Sequence, residues 1–208
     1  MSVKKAYDTW SDQYDTNINA TRDLEATAIQ KTLGELQVDN CLEIGCGTGK
    51  NTAWLVNIAK IITSVDLSAD MLAKAQEKIK SPKVNFIQAD VLEDWHFAHS
   101  KYNLVCFSLV LEHIENLESI FEKISKVIAQ DGCVYIGELH PYKQYNGTRA
   151  RYTTDAGEEL VTCYNHNLSD FTNAAKKHGF KLVELQEFFD GDDRNTTPRI
   201  ITLLFKFQ

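Results

Sequence analysis

Residues Glu43 to Gly49 read Glu-Ile-Gly-Cys-Gly-Thr-Gly and stand between an apolar run (Val38, Cys41, Leu42, Ile44) and a helix-like stretch. Glycines at the tip of a buried strand let a ligand press against the main chain, because no Cβ stands in the way. A nucleotide-type ligand is therefore the first expectation, and the spacing narrows its kind. Dinucleotide sites use Gly-x-Gly-x-x-Gly, whereas here the last glycine comes one residue early. Lys50 stands in its place, would crowd the helix-to-strand packing there, and so disfavours a pyrophosphate. Asp66 closes the next apolar run, Ile61 to Val65, about twenty residues on, the interval that a strand-turn-helix-strand unit requires.

The histidines supply the acid-base candidates. His113 lies just past the apolar run Tyr102 to Phe107, and His140 follows the run Cys133 to Leu139, so both should face a cleft at the strand ends and could take a proton near neutral pH. His166 precedes a helical pattern and is a candidate contact in a cap region, while His178 beside Gly179 reads as a helix terminus. His96 and His99 have metal-like spacing near Asp94, but Trp95 and Phe97 between them and the surrounding turn make a surface loop the better reading, and no metal is expected.

Apolar periodicity places helices near 3–15, 20–36, 49–58, 69–80, 116–129 and 168–178, and strands near 40–45, 61–66, 84–88, 102–107, 132–139, 181–189 and 199–207. Alternation of the two implies an α/β fold with a parallel sheet wound on both faces. The last two strands are joined by the turn-rich stretch Asp190 to Asn195, which leaves no room for a helix. They form a hairpin and bring one antiparallel strand into a sheet of seven. In such sheets ligands sit beyond the carboxyl ends of the strands, where the winding reverses.

Taken together, Glu43-x-Gly45-x-Gly47-x-Gly49, Asp66 at the end of the second strand, Gln88-Ala89-Asp90-Val91 after the third, and Ser108-Leu109-Val110-Leu111-Glu112-His113 after the fourth resemble the motifs of class I S-adenosylmethionine-dependent methyltransferases. The resemblance covers about the first two thirds of the chain and implies a Rossmann-like, doubly wound domain that uses S-adenosylmethionine and releases S-adenosylhomocysteine. It further implies roles for single residues. Backbone amides from Cys46 to Gly49 would face the methionine part, with Gly45 and Gly47 in the turn. Glu43 would balance the ammonium group, Asp66 would hold the ribose, Asp90 the adenine amino group, and Ser108 would close the fourth strand beside them. Leu67, Met71 and Val91 would pack on the base, a role that plain core packing would mimic.

Two segments flank this unit within what reads as a single domain over 1–208. Residues 1–36 form a helical cap in which Tyr7, Trp10 and Tyr14 share one face; the rings either staple the helix down or close over the ligands, with Tyr14 the foremost site candidate. Residues 140–166 interleave tyrosines with cations and read as an inserted lid over the substrate, with a short strand at 160–164. Tyr142 and Arg149 join Tyr14, His140 and His166 as candidate acceptor contacts, Arg149 as a grip for a carboxylate or phosphate. His140, His113 and Tyr14 are the candidates for the reaction itself, although methyl transfer depends chiefly on positioning.

A net charge of -7 argues against nucleic acid as a partner, since such binding draws on a basic surface, and the Asn/Asp-Pro-Pro-aromatic turn of nucleic-acid amino-methylating relatives is replaced by Ser108 to Leu111. No apolar stretch reaches the length of a membrane span, and no hydrophobic signal region follows Met1, so a cytoplasmic protein is expected, a monomer or a homodimer. The five cysteines are spread without a Cys-x-x-Cys pair and read as free thiols. The expected activity is methyl transfer to N, O or C of a small aromatic or anionic metabolite, nearest to quinone-methylating and related biosynthetic enzymes. The rivals are a catalytically silent nucleoside-binding scaffold and a nicotinamide-dependent reductase, the latter weakened by Lys50 and by the lack of a Tyr-x-x-x-Lys pair.

Overall fold

A computed structural model describes residues 3–16, 18–154 and 157–208. In chain order it contains α1 (Val3–Tyr14), α2 (Ala20–Leu33), β1 (Val38–Ile44), α3 (Thr52–Leu55), β2 (Ala59–Asp66), α4 (Ala69–Lys78), β3 (Val84–Gln88) and β4 (Tyr102–Ser108). A 3₁₀ turn over Leu111–His113 leads to α5 (Leu117–Val127), β5 (Ile128–Leu139), α6 (Pro141–Tyr145), β6 (Arg151–Thr154), β7 (Gly157–Leu160), α7 (Leu168–Lys177), β8 (Phe180–Phe188) and β9 (Ile200–Phe207). Seven strands make one sheet in the order β3-β2-β1-β4-β5-β9-β8. Neighbours from β3 to β5 run parallel, and β9 runs antiparallel to both β5 and β8. The α/β architecture with its single antiparallel strand is the one the sequence pattern predicts. Winding reverses between β1 and β4, which places the cleft at the tips of those two strands.

Continuous apolar runs explain the middle of the sheet. In β4, Leu104, Val105, Cys106 and Phe107 are all buried, as a strand covered on both faces requires. On one face Phe121 of α5 meets Phe180 and Phe205 at ring separations of 5.6 Å, and Phe171 of α7 joins the same cluster. On the other face Ile29 and Leu33 of α2 pack with Leu55, Leu104 and Tyr135. Each such side chain contributes roughly 1.5–3 kcal/mol on burial.

Several expected boundaries shift for identifiable reasons. The helix predicted over 49–58 shrinks to the single turn of α3, because the Val38 N–H donates to the Ile58 carbonyl at 2.8 Å and draws the chain back into the sheet. The strand predicted at 160–164 is displaced. Pairing occurs between β6 and β7 and stops at Leu160, while the Tyr164 N–H instead donates to the Glu112 carbonyl at 2.7 Å. Asp155 and Ala156 lie outside the described residues. Helix α6 was not legible as such; Pro141 occupies its first turn, where a missing N–H costs nothing. All five cysteines are free. No helix among the described residues is long and apolar enough to cross a membrane.

Candidate functional site

The three glycines after β1 divide their work. Gly45 must lack a Cβ because one would collide with Val110. At Gly49 a Cβ would lie 2.6 Å from Ile79 Cδ1 and 3.2 Å from Ala75 Cβ, so this residue provides the close approach to α4. Lys50 does not crowd that contact, as the spacing suggested; it turns outward and pairs with Asp23. Gly47, with φ of +53°, has open space in front of it, bounded by Tyr14 at 4.0 Å. That space is a cavity of about 490 Å³ at the strand tips.

Its floor comes from strand ends fixed by the sheet. Asp66 ends β2, where Oδ2 accepts from the Gly47 N–H and Oδ1 from the Ser68 N–H, both at 2.8 Å. Burial raises its pKa, and the backbone donors pull it back. The Leu67 N–H is a third backbone donor to this carboxylate, which lines the cavity. Leu67, Asp90 and Val91 line the same wall, and the Asp90 carboxylate is aimed by accepting from the Leu92 N–H at 2.9 Å. Ser108 and Leu109 close the floor from β4; Leu109 holds a φ of +57°, rare for a branched side chain, and its N–H donates to the Gly137 carbonyl at 2.8 Å.

A second, smaller cavity of about 50 Å³ adjoins the first behind the glycine turn and is lined by Arg22, Glu25, Glu43, Cys46 and Asn51 among others. Glu43 Oε2 accepts from Thr52 Oγ1 at 2.5 Å and Ser64 Oγ at 2.7 Å, while burial pushes its carboxyl up to about 7. Glu25 accepts from Asn51 Nδ2 at 2.8 Å and from Tyr135 at 3.1 Å, and burial raises it also. The Arg22 guanidinium sits 4.0 Å from the centre of the Tyr14 ring and donates to the Tyr14 carbonyl. Burial drives the Tyr14 phenol up to about 12.

The roof is α1. Val3, Lys4, Tyr7 and Tyr14 face the large cavity, and the helix is tied down by polar bonds: Ser68 Oγ to Asp8 at 2.5 Å, Thr48 Oγ1 to Asp15 at 2.6 Å, and Lys78 Nζ to Asp15 at 2.7 Å. His113 lines the far end. Its Nδ1 is 2.8 Å from the Thr162 carbonyl, which can only accept, so Nδ1 carries the proton. Nε2 is then an acceptor, and Tyr7 Oη donates to it at 2.8 Å. Glu112, His113 and Cys163 have ligand atoms within 4.8 Å of one another, but both ring nitrogens are committed to these hydrogen bonds.

Four expected acceptor contacts are not brought to the cavity. His140 is buried as the N-cap of α6, with Nδ1 accepting from the Tyr142 N–H and Nε2 bonded to Glu187, each at 3.1 Å. Burial lowers its pKa. His166 is buried too, its Nε2–H shared between the Leu111 and Ile114 carbonyls at 3.2 and 2.8 Å, so it pins the turn that carries His113. Tyr142 stacks on His140 and is otherwise exposed, and Arg149 is exposed and lines neither cavity. Met71 is likewise corrected: it is fully buried in α4 behind Asp66 and touches neither cavity wall. Conversely, Arg22, Glu25 and Leu109 were missed, and Tyr7 was seen only as one of three rings on a helix face.

A family profile described as "Methyltransferase domain" matches residues 42–136. The chain is 29% identical over 199 residues to a protein of Geobacillus sp. (strain WCH70) described as "Putative methyltransferase", covering 90% of this chain and 76% of that one. It is 28% identical over 105 residues to the ubiquinone biosynthesis O-methyltransferase of Glaesserella parasuis serovar 5 (strain SH0165), a match that spans 48% of this chain and only 44% of that relative. The DhpI-SAM-HEP complex superposes with a TM-score of 0.77 at 21% identity over 97% of this chain and 94% of that one, a likeness of fold. The profile lies over the strands whose tips hold Gly47, Asp66, Asp90 and Ser108, so the chain is similar over this stretch to a methyltransferase domain, and its fold is that of structures solved for S-adenosylmethionine-dependent methyltransferases.

Proposed function

We propose that the protein transfers a methyl group from S-adenosylmethionine to N, O or C of a small acceptor molecule. The observation that carries this reading is the Asp66 carboxylate, held by the Gly47 and Ser68 N–H groups at the floor of the large cavity with Asp90 on the same wall. Such a fixed carboxylate suits a ribose diol, and the gap in front of Gly47 is the space a Cβ would otherwise narrow. S-adenosylmethionine, when bound, supplies an activated methyl group on a sulfonium sulfur. The chain's own work is to bind, orient and exclude water. Asp90, Leu67 and Val91 would hold the base, while Glu43 would meet the ammonium and Arg22 the carboxylate at the smaller cavity. The α1 roof keeps water from the acceptor end, where fixed alignment contributes most of the gain.

The acceptor end favours an aromatic over an anionic molecule. Val3, Leu92, Val110 and Ile114 supply apolar wall, and the cation that lines it, Lys4, is engaged with Asp8 at 3.3 Å. Residues 140–166 serve as a lid through Thr162 and Tyr164, which bond to His113 and Glu112, and through Ala150 and Val161, which pack with Tyr7 and Trp10 of α1. Calorimetry with S-adenosylhomocysteine tests the reading. Binding that weakens at least tenfold in Asp66→Ala is expected, and no binding to the folded wild type would reject it. Tight binding without methyl transfer to any acceptor in a screen of phenols, amines and carboxylates would favour a silent scaffold.

A further inference from the structure

The far end of the cavity carries a hydrogen-bonded chain that positioning alone does not require. Tyr7 on the roof and His113 beyond β4 both line the cavity, and Tyr7 Oη donates to His113 Nε2 at 2.8 Å. The ring cannot turn its other nitrogen inward, because the Thr162 carbonyl holds the Nδ1–H at 2.8 Å. Behind it, Glu112 Oε1 stands 3.9 Å from Nε2, and both side chains are nearly buried.

We propose that Tyr7 and His113 form a proton-accepting pair that selects an acceptor with a weakly acidic hydroxyl, a phenol or an enol, and deprotonates it through the Tyr7 hydroxyl. The acceptor's O–H proton passes to a lone pair of Tyr7 Oη while the proton Tyr7 already carries moves to His113 Nε2. The O–H bonding pair stays on the acceptor oxygen as the nucleophilic pair. Tyr7 ends as it began, a neutral phenol, and His113 becomes an imidazolium with both N–H groups satisfied by Thr162 and Tyr7. Glu112 lies where its charge offsets that cation. Burial, with the nearby Tyr14, Glu112, Cys163 and Asp66, drives the Tyr7 pKa well above its ordinary value, so it acts as a conduit and not as the resting base. Glu112 is itself raised by burial and pulled back by His113 and Cys163, and Cys163 is pushed up to about 12 and stays a thiol. Tyr7 is thereby a catalytic residue as well as a roof contact.

This inference rests on the proposed function, and its test separates the two. The probe is 4-nitrophenol, whose phenolate absorbs visible light and whose neutral form does not. It is added to the protein saturated with S-adenosylhomocysteine at a pH about one unit below the probe's own pKa. Bound probe is expected to show the phenolate band, with its apparent pKa lowered by about one unit or more, a tenfold shift in the ionisation equilibrium. Tyr7→Phe and, independently, His113→Gln should abolish the band while calorimetry shows unchanged affinity for S-adenosylhomocysteine. A probe that binds as the neutral phenol, does not bind, or ionises equally in Tyr7→Phe would overturn the proton-accepting pair and leave the methyltransferase reading standing. Failure of S-adenosylhomocysteine to bind would sink that reading, and this inference with it.

Discussion

The floor and the roof of the cleft are built on different principles. Gly47, Asp66, Asp90 and Ser108 occupy the tips of adjacent strands, so the register of β1, β2, β3 and β4 sets their relative positions before any side chain contributes. Tyr7, His113 and Thr162 come from segments far apart in sequence and meet through side-chain hydrogen bonds on α1 and the 3₁₀ turn. A backbone-fixed floor tolerates many acceptors above it. A roof assembled from few polar contacts can change its chemistry without disturbing the fold, and this is where specificity would reside.

The sharpest way to break the comparison is at the floor. Gly47→Val places a β-branched side chain at φ of +53° and fills the open space before it, so S-adenosylhomocysteine binding should fall by about 100-fold or more while circular dichroism stays near wild type. A normal isotherm would make the turn merely structural. Asp66→Ala should cost on the order of 1.5–3 kcal/mol of the same affinity, since charge-assisted bonds to a diol are lost. Calorimetry on the folded variant checks this.

The next prediction concerns pH, because each half stands over a buried acid. Glu43 under the floor is pushed up to about 7. Glu138 accepts from the Val110 and Leu111 N–H groups at 2.9 and 2.7 Å beneath the turn that carries His113, and burial and the Glu112 charge push it up to about 8. Both folded values exceed the ordinary carboxyl value near 4.5, so between that pH and 7 or 8 the native state holds protons that the unfolded chain has released. Their stabilisation is present below the ordinary value and is lost as pH rises through the folded one. The thermal midpoint of the unliganded protein should thus drop by a few degrees from about pH 5 to pH 8. Glu138→Gln should flatten the upper part of that drop and Glu43→Gln the lower part. A midpoint that rises over this interval would contradict both assignments.

The smallest effect is expected at His140. Its Nδ1 caps α6, and His140→Ala should cost about 1 kcal/mol of stability and leave S-adenosylhomocysteine affinity unchanged. A large change in affinity or in turnover would bring His140 back to the cleft and blur the distinction between the two halves.

What was legible in the sequence follows the same division. Gly45 to Gly49, Asp66 and Asp90 could be placed from strand ends alone, because an apolar run and the residue after it specify both depth and direction. His140 and His166 also lie next to regular elements, yet each is spent on a local task, one capping α6 and the other pinning Leu111 and Ile114. Sequence position gives no sign of that, since a histidine one residue past a strand can turn toward the cleft or into the next helix. Met71 failed for a helical reason: its place in the first turn of α4 points it into the core. Tyr7 and Thr162 could not be paired beforehand, because nothing local to either segment encodes a contact across so much intervening chain. The fold was more readable than the site because periodicity is a property of segments, and a hydrogen-bonded chain is a property of their meeting.

Among the described residues strand β9 comes last in sequence of nine and yet sits inside the sheet, between β5 and β8. The strands that it joins must therefore wait for it, and until it arrives β5 presents an open edge with Ile136 and Val134 beside it. Any agent that competes for that edge would hold the half-assembled protein before its core closes.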